Sequence, residues 1–335
     1  MGGAPDRGAV RRSAGVAVVS PFEIEEIFPD VAVGSRLPRR QQGTSAQALA
    51  ATLIADYTLP DRVWLPSAAI VALLVESGVS SGAARTAISR LMRRGVLESS
   101  REGRHSSHRL TVDAAGELLA GGAWIARFGD RDRVWDGYWT LVAFSLPEEQ
   151  SARRRSLRAE LRWLGFAPLY DGLWVSPDEV NPTVERRLGA VAFGALTVFR
   201  ARQEDLAVEV SRNPVDAWDL PAIAGHYQRF DERWRPLLPQ VRQGEIAGAP
   251  AVHARTQIMD AYRRIPLLDP QLPTELLPAG WPRSQARDLF VAVYDGLAGP
   301  AEKHVRAVVS QAAAASRADA VRAQTVVRLA ATGTS

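Results

Sequence analysis

The stretch GAARTAISRLMRRG, residues 82–95, separates its side chains by type when it is wound into a helix. At 100° per residue, one side is apolar and the other is basic and hydroxyl-bearing. The apolar side consists of Ala84, Ala87, Ile88 and Leu91, and the polar side of Arg85, Thr86, Ser89, Arg90 and Arg93. Arginine pairs bidentately with guanine in the major groove of DNA, and hydroxyls bind bases or phosphates. The pattern therefore indicates a recognition helix, although the solvated face of an ordinary amphipathic helix has the same composition.

The positive charge of the chain is concentrated around this helix. The chain has 335 residues and a net charge of +4. Residues 80–112 hold seven arginines and two glutamates, which is +5, so the remainder of the chain is −1. A local excess of this kind is typical of a surface that binds a polyanion.

The neighbouring segments predict a winged helix-turn-helix over residues 44–112. One helix begins after Thr44 or Ser45 as N-cap, and a second opens at Pro66 and Ser67 and closes at Gly78. A basic hairpin follows the third helix, with its turn at 102–103. We expect its side chains to contact phosphates; the candidates are Arg101, Arg104, Ser106 and His108. A surface hairpin with incidental charge is the alternative.

Residues 1–43 lack sustained periodicity and are predicted to be an irregular arm. Three of its residues, Arg36, Arg39 and Arg40, either reach into a minor groove or belong to a solvated linker.

The rest of the chain predicts three further parts and an overall α+β multidomain fold. A linker helix is predicted over 113–131. Residues 132–212 predict the element order strand, helix, strands, helix, strand, which is that of a ferredoxin-like α+β domain. A helical C-terminal domain spans 213–310, within which the five prolines of 265–282 predict a stiff extended connector. The tail, 311–335, either extends a terminal helix or frays.

Several functional classes are disfavoured by composition. The chain has no cysteine, which excludes disulfides, thiolate zinc sites and cysteine nucleophiles. His105 and His108 lack nearby acidic partners, so no metal is predicted. Phosphate loops and serine-nucleophile elbows are missing, so we predict no catalytic residues and no cofactor.

Most tryptophans are expected in the core. Apolar runs are too short to span a bilayer, and we expect a cytoplasmic protein.

Four stretches in order resemble the PaaX family of phenylacetic-acid-catabolon repressors. They are ARTAISRLMRRGVLESSREGRHSSHRLT (84–111), WDGYWTLVAFSLPE (135–148), RRSLRAELRWLGFAPLYDGLWVSP (154–177) and YRRIPLLDPQLPTELLPAGWP with ARDLFVAVYDGL (262–297). The resemblance implies a homodimeric repressor that binds operator DNA and releases it when an aromatic acyl-CoA, typically phenylacetyl-CoA, binds. It places the recognition residues at Arg85, Thr86, Ser89 and Arg90, and it implies a middle domain similar to small CRISPR-associated nucleases.

Two positions depart from the family pattern. Ser145 stands where those nucleases have a metal-binding aspartate, which argues against the alternative function of a metal-dependent nuclease. Arg283 stands where family members often have glycine after Trp-Pro. The candidate effector-binding residues are Tyr262, Arg263, Arg264 and Trp281. The two arginines would bind the phosphates of an acyl-CoA, and Trp281 would contact its aryl group. Ion pairs that only stabilise the fold explain the presence of these arginines equally well. An activator of the same family remains a further alternative.

Overall fold

The computed structural model describes residues 45–59, 61–103, 105–130, 134–192, 196–204, 212–312 and 315–331. These residues form an α+β protein of helices and two small antiparallel sheets. The predicted arm, with Arg36, Arg39 and Arg40, and the wing residue Arg104 lie outside the described residues.

The first sheet is a three-stranded hairpin sheet set against helices. Its elements are α1 (Ala46–Thr58), β1 (Leu65–Pro66), α2 (Ser67–Glu76), α3 (Ser81–Arg93), β2 (Leu97–Glu102), β3 (His105–Leu110) and the following α4 (Val112–Arg127). The strand order is β1-β3-β2. The predicted start of the first helix is confirmed, because Ser45 Oγ accepts a hydrogen bond from the Ala48 amide at 3.1 Å. Ser80 caps α3 in the same way, since its Oγ accepts a hydrogen bond from the Ala83 amide at 3.3 Å.

The second sheet is four-stranded and carries helices on one face. Its elements are β4 (Trp139–Phe144), α5 (Ser151–Trp163), β5 (Ala167–Tyr170), β6 (Leu173–Ser176), α6 (Pro182–Ala192) and β7 (Leu196–Ala201). The order is β5-β6-β4-β7, with every neighbouring pair antiparallel. Leu157 and Leu161 of α5 and Leu188 of α6 pack on one face, while Trp139 on the other face stacks on Trp218 at 6.2 Å. The turn at Gly172 is tight, since an added Cβ would lie 2.7 Å from the Phe144 carbonyl oxygen.

The remaining described residues are helical. The helices are α7 (Leu220–Trp234), α8 (Leu238–Arg242), α9 (Gly248–Tyr262), α10 (Ile265–Leu268), α11 (Arg283–Gly296), α12 (Ala298–Ala312), α13 (Ala315–Asp319) and α14 (Val326–Ala331). The proline-rich connector differs from the extended prediction, because it opens with α10 and has a 3-10 turn at Thr274–Leu276. A proline at the first turn of a helix loses no hydrogen bond, and Pro266 takes that place in α10.

One hydrophobic core joins the N-terminal helices to the C-terminal ones. Buried side chains of α1–α4 belong to the same cluster as those of α7–α14. At the surface of this contact His304 of α12 bonds Glu76 of α2 at 2.8 Å. On the other side α14 packs so closely on α4 that a Cβ at Gly122 would lie 2.8 Å from Leu329 Cδ2. The two regions are therefore held together by packing and not by a linker alone.

A buried arginine crosses the same contact. Arg255 of α9 is 0% exposed, and its Nε donates to Asp56 Oδ2 of α1 at 2.9 Å. Its other nitrogens donate to the main-chain oxygens of Tyr294 and Gln324, and its guanidinium lies 3.6 Å from the ring centroid of Tyr294. The Tyr294 hydroxyl donates to Asp56 as well. Because Asp56, Tyr294 and Gln324 lie in three different segments and Arg255 in a fourth, this cluster holds four segments of the chain at one point.

Candidate DNA-binding surface

The α3 helix presents the predicted polar side to solvent. Ala84, Ala87, Ile88 and Leu91 are all buried, which confirms the predicted apolar side. The polar side is exposed, and it comprises Arg85, Thr86, Ser89, Arg90 and Arg93. Thr86 donates its hydroxyl proton to the Gly82 carbonyl at 2.9 Å, so its oxygen remains an acceptor. The helix thus offers donors chiefly through its arginines.

The three arginines of this face have no acidic partner within the described part of the chain. Arg85, Arg90 and Arg93 are exposed, and none of them forms an ion pair with a described residue. Exposed guanidinium groups that are not neutralised by carboxylates keep five donors each for an external acceptor. A row of such groups on one helix face suits the acceptors of guanine and phosphate.

The hairpin of β2 and β3 lies next in the chain and projects a basic edge. Arg101 and Ser106 are exposed and face each other directly across the two strands. The turn residue Gly103 has φ +60°, a left-handed conformation that glycine adopts without strain. The candidate His108 does not belong to this edge, because it is 5% exposed and burial lowers the pKa of its imidazole. We therefore no longer count His108 among the contacts.

Two arginines brace the base of the hairpin, and the sequence did not reveal their role. Arg62, in a left-handed conformation with φ +51°, donates to the Leu110 carbonyl at 2.8 Å and pairs with Glu98. Arg109 bonds the same Glu98 at 2.6 Å and lies 4.4 Å from the ring centroid of Trp64. Arg109 therefore shares one carboxylate with Arg62 and is not part of the exposed row of arginines on α3.

The C-terminal tail also reaches the hairpin. Arg317 of α13 donates to Ser107 Oγ at 2.6 Å and to Glu102 Oε2 at 2.9 Å. It thereby satisfies a buried hydroxyl on β3 and offsets the acidic residue beside the turn. No sequence signal connected residue 317 with residue 107, because the pair is separated by 210 positions.

The four effector candidates occupy different environments. Tyr262 is 0% exposed, and its ring stacks on Phe290 at 4.0 Å. Arg263 and Arg264 both bond Asp260, the latter at 2.6 Å. Trp281 is half-buried and donates its indole N–H to Asp269 Oδ2 at 3.0 Å. The two arginines thus share one carboxylate, whereas Tyr262 points into the core and Trp281 belongs to a separate cluster.

That separate cluster is centred on a buried carboxylate. Asp269 receives two hydrogen bonds from Arg283, at 2.8 and 3.1 Å, and one from the Tyr227 hydroxyl at 2.5 Å. Burial alone would raise the pKa of Asp269, but these donors and the charge of Arg283 outweigh it and lower the pKa below its usual 3.8. Arg283 is therefore the main ionic partner of Asp269.

We expect this cluster to make stability depend on pH under acidic conditions. Because the folded pKa lies below 3.8, the stabilisation is present above about pH 5 and is lost as the pH falls through 3.8 and below. Urea unfolding midpoints of the wild type and of Asp269→Asn, measured from neutral to acidic pH, test this. The difference between the two proteins should shrink at the acidic end, and parallel curves would contradict it.

No described helix is both long and apolar enough to cross a membrane. Ser145 follows β4 directly and is exposed. Among the described residues no three histidine, aspartate or glutamate side chains are grouped as a metal site would require.

Comparison with known proteins gives consistent matches along most of the chain. The family model of a PaaX-like protein matches residues 45–114, that of the PaaX protein central Cas2-like domain matches 132–211, and that of the PaaX-like protein C-terminal domain matches 218–307. The transcriptional repressor PaaX of Escherichia coli (strain K12) is 30% identical over 242 residues, which are 71% of this chain and 75% of that protein. The solved structure of the uncharacterized protein Rv0674 from Mycobacterium tuberculosis superposes on this chain with a TM-score of 0.55 at 22% sequence identity. The superposition covers 79% of this chain and 99% of the Rv0674 chain, and it shows that the two share a fold.

Proposed function

The chain belongs to the PaaX family, whose Escherichia coli member is a transcriptional repressor, and from this premise we propose that it is a ligand-responsive repressor that binds operator DNA as a homodimer. The observation that carries the proposal is the exposed face of α3, on which Arg85 and Arg90 have no acidic partner among the described residues. In this proposal α3 enters the major groove, where the two guanidinium groups meet base edges.

The first sheet and its helices then act as a winged helix-turn-helix. The order of three helices and a hairpin supports this, as does the pairing of β1 with β3. Arg101, Ser106 and, beyond the described residues, Arg104 contact backbone phosphates beside the groove that α3 occupies. The brace formed by Arg317 holds the wing at the angle at which these contacts reach DNA.

The second sheet is proposed to be a ferredoxin-like domain without nuclease activity. Two helices on one face and a 2-3-1-4 order of the four strands support the fold. A hydroxyl at Ser145 is a poor substitute for the carboxylate ligand that magnesium prefers, so the donor set does not favour phosphodiester cleavage.

An aromatic acyl-CoA is the proposed effector, and it acts by favouring a conformation that does not fit the operator. It must bind the two conformations with different affinities, since a ligand with equal affinity shifts nothing. Trp281 and Arg264 remain the accessible members of the proposed effector set, the Arg264 side chain being 36% exposed. Tyr262 and Arg263 would take part after Asp260 or the Phe290 stack has rearranged.

Selection of duplexes from a random pool by the full-length protein tests the proposal. We expect an inverted repeat, because a two-fold dimer presents two equivalent helices, with half-site centres about 34 Å or a multiple of it apart. Phenylacetyl-CoA should release the selected duplex, and at about 100 times its dissociation constant it should stabilise the protein by about 2.7 kcal/mol in thermal unfolding. Failure to enrich any sequence would contradict specific DNA binding, and enrichment without release would contradict only the effector.

A further inference from the structure

The helical layer of the middle domain, formed by α5 and α6, is strongly basic. Residues 151–163 contain five arginines and one glutamate, and residues 182–192 contain two arginines and one glutamate. The sheet lies behind these helices and its far face is covered by Trp218 and Leu276, so the layer is the outer surface of this part of the protein. We call the exposed side of α5 and α6 the basic layer.

Internal ion pairs remove some of this charge but leave several arginines unneutralised. Arg187 pairs with Glu160 and lies 3.5 Å from the ring centroid of Trp163, and Arg158 pairs with Asp171 at 2.5 Å. Four arginines of the layer are exposed, namely Arg153, Arg155, Arg162 and Arg186. Of these, Arg155, Arg162 and Arg186 form no ion pair with a described residue. The two helices together hold seven arginines and two glutamates, and the exposed acids in the segments beside them are Glu149, Asp171 and Glu179, so a positive excess remains.

The arrangement suits a long polyanion better than a small one. Arg155 and Arg162 are seven residues apart, which puts them on the same helix face about 10 Å apart along the axis. Between them the exposed positions are small, namely Ser156 and Ala159, so a polymer is able to approach the helix closely. A small phosphate ligand needs donors that converge on one point, whereas these are spread over the face.

We propose that the basic layer binds the phosphodiester backbone of duplex DNA that flanks the operator. This inference rests on the proposed function, because the winged helix would bring the duplex to the protein. The arginines of the layer then add contacts that depend on DNA length and salt and not on sequence.

The test compares Arg155→Gln/Arg186→Gln with the wild type on two duplexes. The first duplex is the selected operator trimmed to about 20 base pairs, which is about two helical turns. The second is the same operator extended by random flanking sequence to about 40 base pairs, which is about four turns. A matched control, Arg233→Gln/Arg242→Gln, removes the same charge from exposed sites on the C-terminal helices. Circular dichroism confirms that all three proteins are folded.

We expect Arg155→Gln/Arg186→Gln, the layer variant, to bind the trimmed duplex with wild-type affinity. On the long duplex it should lose the additional affinity that the flanking DNA gives the wild type. Removing two phosphate contacts should lower the salt slope by about two, so the affinity ratio of wild type to variant on the long duplex should fall about tenfold between about 50 and 200 mM salt. The control variant should keep the wild-type slope. An unchanged flank-dependent gain, or an equal loss on both duplexes, overturns the inference.

A random-sequence duplex of about 40 base pairs, four turns, separates this inference from the proposed function. If no operator is selected, the proposed function fails; if the layer variant then binds the random duplex like the control, the present inference fails as well. The inference is also overturned if the basic layer binds single-stranded RNA more tightly than duplex DNA, because its ligand would then be a different nucleic acid.

Discussion

Replacing both Arg85 and Arg90 with alanine is expected to abolish specific operator binding while the protein remains folded. Each bidentate contact between arginine and guanine contributes about 1–3 kcal/mol of discrimination, so the pair should contribute roughly 2–6 kcal/mol, a loss of about 30-fold to 10⁴-fold in affinity. Both side chains are exposed and make no ion pair with a described residue, so their removal breaks no ion pair of the described structure. Alanine also favours the helical conformation.

Fluorescence anisotropy with the selected duplex, at several salt concentrations, measures this loss. A control variant, Arg229→Ala/Arg242→Ala, removes two exposed arginines from α7 and α8 and should retain operator affinity. Residual binding of the Arg85 and Arg90 variant should be independent of sequence. Operator affinity equal to that of the wild type, in a variant with native circular dichroism, would show that α3 is not the recognition helix.

Asp56→Ala is expected to lower the free energy of unfolding by about 3–5 kcal/mol, the range for removing one partner of a buried ion pair. The change leaves the guanidinium of Arg255 at 0% exposure without its carboxylate, and it removes the acceptor of the Tyr294 hydroxyl. The matched control is Asp231→Ala, which breaks the exposed pair of Asp231 with Arg235 and should cost less than about 1 kcal/mol.

Chemical denaturation followed by tryptophan fluorescence measures both variants. A double variant, Asp56→Leu/Arg255→Met, replaces the pair with apolar side chains and should recover part of the loss, because no charge is then left buried alone although the Tyr294 hydroxyl still lacks its acceptor. If Asp56→Ala were as stable as Asp231→Ala, the ion pair would not hold the N-terminal and C-terminal helices together.

Local chemistry was sufficient to predict the positions of several secondary-structure elements. Ser45 and Ser80 signal their helices because a hydroxyl before an apolar run caps the first turn, and both do so. The two sides of α3 follow from the 3.6-residue period alone. The break at residues 171–172 separates β5 from β6 because Asp and Gly favour a turn.

Contacts between distant residues could not be predicted in this way. Asp56 and Arg255 are separated by 199 positions, and nothing near either residue in sequence indicates the other. Tyr262 looked accessible beside two arginines, but its ring completes an aromatic stack with Phe290 that only the packing of α9 on α11 creates. The charge of α5 is visible in sequence, yet which arginines remain unpaired depends on how α6 packs beside it.

The buried salt link at Arg255 limits how this protein can be re-engineered. Excising residues 45–112 for fusion to another protein would strip the apolar covering from α1 and α2 and strand Asp56 without its cation. Joining residues 45–112 of one relative to the remainder of another should therefore yield insoluble chimeras. Substitutions are better confined to the few outward side chains of α3, which contribute nothing to the interior.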